Sequence, residues 1–86
     1  MPRYYFDTSD GVSLVQDEIG VECASLPEVK RTAVEALPEL AREALPDGDN
    51  LQMAVLVRDL EGRHILKVSL TLAVRWSDPA HVHGPN

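Results

Sequence analysis

Residues 51–75 read LQMAVLVRDLEGRHILKVSLTLAVR, and this stretch decides the fold. Apolar and polar side chains alternate from Leu51 to Arg58 and again from Arg63 to Arg75, and a period of two is typical of half-buried strands. Between the two runs, Asp59-Leu60-Glu61-Gly62 has the length and the glycine of a hairpin loop. The stretch therefore predicts two long antiparallel strands joined by a tight turn.

The register of this hairpin follows from the position of its apolar residues. Pairing Arg58 with Arg63 sets Val55 opposite Leu66 and gathers the large apolar side chains on one face, whereas a slip by one residue would mix the faces. The predicted second face is small-sided and mixed, with Ala54, Leu56, Ile65, Lys67, Ser69, Thr71 and Ala73.

A helix is predicted over residues 26–45. Ser25 can accept a hydrogen bond from the amide of Glu28, and Pro27 lies in the first turn, where its missing N–H is not needed. Apolar residues then recur at helical spacing on one stripe: Leu26, Val29, Ala33, Leu37, Leu40 and Ala44. An interior proline removes one helical hydrogen bond, so Pro38 predicts a kink or a break.

The chain before the helix reads as short strands separated by turns. Arg3–Asp7 is rich in aromatic residues and is followed by Thr8–Gly11, a set of turn-forming residues. Residues 12–16 predict a second strand, and residues 21–23 a brief extended piece. The expected class is α+β in the order ββαββ, with a Pro38-kinked helix on one face of an antiparallel sheet, one domain over residues 1–76 and a flexible tail over 77–86.

Size and charge limit the classes of function. The chain has 86 residues, 14 acidic and 8 basic side chains, and a net charge of −6, which disfavours nucleic acid and anionic membrane surfaces as partners. Cys23 is the only cysteine and cannot form a disulfide within the chain, so we expect a reducing, cytoplasmic setting. No apolar run is long enough to cross a bilayer. So small a core favours association with another chain.

The histidines and the cysteine have simpler interpretations than metal binding or catalysis. His81 and His83 alternate like a metal pair, but a zinc site needs further ligands and this segment follows the last predicted strand. Cys23 lies near Glu22 and Glu18, which disfavour a thiolate, so a small apolar role at the sheet edge is expected. His64 is expected to be exposed beside the turn.

A group of acidic residues near the N-terminus also matches no recognisable calcium-binding site. Asp7, Asp10, Asp17 and Glu18 lack the ligand spacing of a calcium-binding loop, and turn-forming aspartates explain them more simply. No phosphate-binding, nucleophile-elbow or zinc-protease motif occurs in the sequence. We therefore expect no enzymatic activity, no catalytic or metal-binding residues and no cofactor.

Several segments carry a family resemblance over residues 1–76: Met1-Pro2-Arg3-Tyr4-Tyr5-Phe6-Asp7, Asp10-Gly11, Asp17–Glu22, Val57–Asp59 and Glu61–Arg63. With this M-P-R-Y-[YF]-F-D opening, the chain resembles a family of short alphaproteobacterial proteins of unknown function. Pro38 departs from the uninterrupted helix of such proteins. The resemblance implies the same element order and supplies no catalytic residues.

A looser resemblance concerns the order of an aromatic strand, an Asp-Gly turn, a second strand and a capped helix. In this order the chain is similar to the N-terminal domain of HicB-type antitoxins, a likeness that implies a partial ribonuclease H fold able to neutralise a small basic protein. The DNA-binding segment usually appended to such domains is missing from this sequence.

The preferred hypothesis is a non-enzymatic protein-interaction module that forms a homodimer. Its interface is expected on the second sheet face, at Leu56, Ile65, Lys67, Ser69, Thr71 and Ala73, or at an exposed sheet edge. The alternative is an antitoxin-type binder of a basic protein, as the HicB likeness implies.

Overall fold

The computed structural model describes residues 1–44 and 49–77 and contains one helix and a five-stranded antiparallel sheet. The α+β class is confirmed, and the predicted ββαββ order holds with a brief extra strand before the helix. The elements are β1 Arg3–Ser9, β2 Leu14–Val15, β3 Val21–Glu22, α1 Leu26–Ala44, β4 Asn50–Arg58 and β5 His64–Ala73.

The sheet has the order β2-β1-β4-β5. β1 pairs with β4 from Tyr5 opposite Arg58 to Ser9 opposite Ala54. The short strands β2 and β3 pair with opposite ends of β1, and β5 pairs only with β4 among the described elements. β5 is therefore an edge strand ten residues long.

The hairpin register differs from the predicted one by two residues. Val55 lies opposite Val68, and Val57 opposite Leu66, so the predicted partner of Val55 is wrong. Because side chains alternate with a period of two, this shift leaves the predicted apolar faces intact. A bulge between Val57 and Arg58 leaves Ile65 without a partner on β4.

The turn accounts for one residue of this difference and the bulge for the other. The amide of Asp59 donates to the carbonyl of Arg63 at 2.9 Å, and the Asp59 carboxylate accepts from the Arg63 amide at 2.9 Å and the Glu61 amide at 3.0 Å. Arg63 is therefore part of the turn, and the ladder begins with Arg58 opposite His64. Gly62 adopts a φ of 84°, the left-handed conformation that this turn needs.

The helix begins where the sequence predicts. The Glu28 amide donates to Ser25 Oγ at 3.3 Å, which confirms the N-terminal cap. α1 continues through Pro38 without a break, and a bend of its axis there stays a prediction. The predicted last residue, Leu45, lies outside the described residues. No helix in the described ranges has the length and apolar character needed to span a membrane.

The core lies between α1 and one face of the sheet. Val29, Ala33 and Leu37 of the predicted stripe are buried, and Leu40 packs against them. They meet Val55, Val57 and Cys23, with Phe6 among the partly buried neighbours. Leu26, predicted for the same stripe, is instead 64% exposed, and the side chain of Ala44 lies outside the described part.

The strand bounds also differ slightly from the predicted ones. β1 continues to Ser9 beyond the predicted Asp7, and β2 is limited to two residues. β5 ends at Ala73 instead of Arg75, although the Val74 amide still donates to the Asp49 carbonyl at 2.8 Å. The predicted flexible tail falls on residues outside the described part, apart from Ser77.

Candidate interaction surfaces

The backbone groups of β5 divide into two sets. Val74 donates to Asp49 in the register of the ladder, so Val74 and every second residue before it, back to Leu66, direct N–H and C=O toward β4. The intervening residues direct theirs to the opposite side: Lys67, Ser69, Thr71 and Ala73. No strand in residues 1–44 or 49–77 pairs with that side, which we call the open edge.

The side chains of β5 follow the same alternation. Leu66 and Val68 lie on the face that α1 covers and are half-buried, whereas Leu70 is 43% and Val74 is 42% exposed on that same side. α1 packs mainly on β4, and for this reason the apolar stripe of β5 is only partly covered. An apolar row beside unpaired backbone groups is suited to pairing with another strand.

The residues predicted for the interface are only partly brought together. Lys67, Ser69, Thr71 and Ala73 are exposed in one row on the face away from α1, and Leu56 pairs with Lys67 across the two strands. Four of these side chains thus belong to the residues whose backbone groups form the open edge.

Ile65 is separated from this row. It lines a cavity of about 340 Å³ with Leu26, Val29 and Leu66, next to the start of α1. The bulge supplies the physical reason, because an extra residue in one strand redirects the side chain next to it. Ile65, which the alternation placed on the second face with Leu56, therefore lies apart from that face.

The face away from α1 carries a buried ion pair that the sequence did not predict. Asp7 is 3% exposed, and its carboxylate accepts from Arg58 Nε at 2.7 Å and from Nη2 at 3.0 Å. The Arg58 guanidinium also lies 5.1 Å from the centre of the Tyr5 ring. A bidentate contact of this kind fixes the two side chains in one geometry.

Asp17 connects this ion pair to the chain between β2 and β3. Its amide donates to Asp7 Oδ1 at 2.9 Å, and its carbonyl accepts from Arg58 Nη2 at 3.0 Å. Its own carboxylate accepts from the amides of Phe6 and Ile19 at 3.0 Å and Gly20 at 3.1 Å. The Asp17 side chain thus supplies the acceptor that a continuous strand would offer to the middle of β1.

Both carboxyl groups are held in the ionised form. The hydrogen bond from Arg58 lowers the pKa of Asp7 and outweighs the opposing effect of burial. Burial also opposes ionisation of Asp17, but hydrogen bonds from the Phe6, Gly20 and Ile19 amides outweigh it, so its pKa is lowered as well. The network therefore contributes to stability only while these groups are charged.

The interpretation of the acidic group as turn-forming aspartates is confirmed for two of its members. Asp10 accepts from the amides of Val12 and Ser13, each at 2.9 Å, and Asp17 caps the turn at Gly20. It is wrong for Asp7, which lies inside β1 and pairs with β4. The sequence did contain a signal for this ion pair. Asp7 and Arg58 carry opposite charges, and each lies on the mixed face of its strand instead of the apolar face.

The remaining candidate groups are Cys23 and the three histidines. Cys23 is 1% exposed and packs in the core as a small apolar residue, and His64 is exposed at the start of β5. Within the ranges that the structure describes, no group of three or more metal-binding side chains occurs. His81 and His83 lie outside those ranges.

A family model described as a domain of unknown function, DUF6894, matches residues 3–71. No curated protein and no solved structure matches the chain. The predicted taxonomic range, opening motif and HicB likeness stay predictions. The match includes the Asp7–Arg58 pair, the Asp17 segment and most of β5, and it covers most of the chain, which therefore belongs to the DUF6894 family.

Proposed function

We propose that the protein is a non-enzymatic, cytoplasmic interaction module that forms a homodimer through the open edge of β5. The observation that carries this proposal is a ten-residue edge strand with a partly exposed apolar row and with backbone groups that no other strand of the described part pairs. Natural proteins keep edges short, charged or covered, and between Ile65 and Val74 only Lys67 is charged. By contrast, β2 and β3 are two residues long.

The alternation of β5 determines how two copies would meet. Hydrogen bonds across the open edge join only residues of the Lys67, Ser69, Thr71 and Ala73 set from each copy. In antiparallel pairing, opposed residues point to the same face of the sheet. Both helices would thus lie on one face of a continuous sheet, with the two rows containing Leu70 and Leu72 side by side.

This arrangement satisfies the symmetry of a closed dimer. Antiparallel pairing of β5 with its own copy has a two-fold axis, so the same patch serves both partners and the assembly stops at two. The partly exposed side chains of Leu70 and Val74 would lose solvent contact, which contributes about 25 cal/mol per Å² of apolar surface. The association would therefore supplement the core of a small domain.

Light scattering during size-exclusion chromatography tests the proposal. We expect the protein to elute at twice its chain mass and Leu70→Lys to elute as a monomer, because a buried ammonium has no partner there. Leu60→Lys is the matched control, since Leu60 is 67% exposed in the hairpin turn and away from the edge. A wild-type monomer at the highest soluble concentration would contradict the proposal.

The second candidate function is antitoxin-type binding of a small basic protein. Its support is the exposed row of Glu35, Glu39 and Glu43 on α1, together with the net charge of −6. Copurification with a basic protein encoded by a neighbouring gene, and its loss in a variant with lysine at Glu35 and Glu43, would favour this candidate. Retention of the partner in that variant would count against α1 as the binding surface.

A further inference from the structure

A recess on the outer side of β1 lies at the sheet edge opposite to β5. β2 pairs with Thr8 and Ser9, β3 pairs with Arg3 and Tyr4, and the middle of β1 lies between them. A cavity of about 410 Å³ opens at this gap and is lined by Phe6, Thr8, Val15, Gln16, Asp17, Glu18 and Ile19. We call it the Phe6 recess.

Three of its seven lining side chains are apolar, and two of these three are exposed. Val15 is 65% and Ile19 is 80% exposed, and both line the recess beside the partly buried Phe6. Thr8 and Val15 are cross-strand partners, and Phe6 lies on the helix-covered face, so the recess opens on that side of the sheet. Together these three side chains offer an apolar contact for one side chain of a partner.

The backbone behind these side chains is fixed by long-range hydrogen bonds. Arg3 Nη1 donates to the Ile19 carbonyl at 2.9 Å and to the Gly20 carbonyl at 3.3 Å, and Arg58 donates to the Asp17 carbonyl. Gly20 has a φ of 80°, and a Cβ there would lie 2.8 Å from Arg3 Cγ. Ile19 is thus held in an exposed position, and such preorganisation reduces the entropy cost of binding.

Charge decides what kind of partner fits this recess. Glu18 is exposed next to Ile19, and the carboxylate of Asp17 on the same wall accepts from backbone amides. The nearby positive charge of Arg3 is paired with Glu22 at 3.9 Å, and the chain carries a net charge of −6. A basic segment would be attracted, whereas an acidic segment or an anionic lipid surface would be repelled. The recess is therefore complementary to an apolar side chain flanked by lysine or arginine.

We infer that the Phe6 recess is a second protein-binding surface, which receives an aliphatic side chain from a basic segment of a partner protein. This surface goes beyond the proposed self-association and is independent of it, since β1 separates the recess from β4 and β5. A dimer formed through β5 would leave one recess open at each end of its sheet.

Three capped pentapeptides and amide NMR spectra of the full chain test the inference. The first peptide has one leucine between two pairs of lysines, the second has serine in place of leucine, and the third has glutamates in place of the lysines. We expect saturable shifts at residues 15–19 with the first peptide only. Ile19→Ser should weaken binding by about tenfold, the effect of removing one buried aliphatic side chain.

The controls separate this inference from the proposed dimer. Leu60→Ser, a change at another exposed aliphatic residue, should bind the first peptide as the wild type does, and so should Leu70→Lys whether or not it dissociates. Equal shifts with all three peptides, shifts confined to α1, or no shifts would overturn the inference. Conversion of Ile19→Ser to a monomer would assign the recess to a second copy and would also overturn it.

Discussion

Asp7→Ala is expected to lower the free energy of unfolding by about 3 kcal/mol, the cost of removing one partner of a buried ion pair. The substitution removes the acceptor of the Asp17 amide and the carboxylate partner of Arg58, whose guanidinium keeps only the Asp17 carbonyl as an acceptor. Because small domains are stable by only about 5 to 15 kcal/mol, this loss removes a large part of the total. Urea unfolding followed by circular dichroism measures it.

Glu39→Ala is the matched control for this prediction. Glu39 also pairs with an arginine, at 3.5 Å from Arg42, but its side chain is 77% exposed. Solvent-exposed pairs contribute little to stability, so the control should unfold close to the wild type. If Asp7→Ala and Glu39→Ala unfold at the same urea concentration, Asp7 and Arg58 do not form the buried pair described above.

The same ion pair gives the protein an acid dependence of known sign. The pKa of Asp7 is lower in the folded state than in the unfolded chain, so its contribution is present above the unfolded pKa of about 4. It is lost as the pH falls through the folded pKa, since the unfolded state then binds the proton more readily. Asp7→Asn should therefore show a smaller decrease in stability than the wild type below about pH 4.

Ser69→Pro is expected to dissociate the dimer while the fold is retained. Proline has no amide hydrogen, and the Ser69 amide lies on the open edge, where no ladder bond among residues 1–44 and 49–77 depends on it. Proline is tolerated in edge strands at such positions. The variant should elute with the mass of one chain and keep the circular dichroism spectrum of the folded protein.

Leu70→Pro separates the two sides of β5. The Leu70 amide is directed toward Met53 of β4, so its loss breaks a bond of the sheet itself. This variant should be destabilised at every protein concentration, whereas Ser69→Pro should lose only the association. A Ser69→Pro variant that stays dimeric would place the interface away from the backbone of β5.

The elements of the fold were predictable because local patterns encode them. The period of two at Leu51–Arg58, the helical stripe from Val29 and the cap at Ser25 each depend on residues close in sequence. The register was harder to predict because it depends on the Asp59 carboxylate, which binds the Arg63 amide inside the turn. The turn shifts the pairing by one residue and the bulge at Ile65 by another, so the total shift of two leaves the face pattern unchanged and alternation alone cannot detect it.

The buried pair could not be predicted from local patterns. Asp7 and Arg58 are 51 residues apart, and they meet only because β1 pairs with β4 instead of ending in a separate hairpin. Composition and spacing do not determine the strand order. This order also places β5 at the edge of the sheet, so that one of its sides is the open edge. Alternation placed Lys67, Ser69, Thr71 and Ala73 on one face, as the structure has them, but it misplaced Ile65 because a bulge interrupts the alternation. Their role in an interface stays a prediction.

Amide hydrogen exchange along β5 tests the proposed dimer most directly. In a dimer, the amides of Ser69 and Thr71 should exchange as slowly as those of Val68 and Leu70, and dilution should accelerate only the first pair. The amides of Val68 and Leu70 are protected by β4 in either state. Fast exchange at both Ser69 and Thr71 at every concentration, beside slow exchange at Val68 and Leu70, would contradict pairing through the open edge.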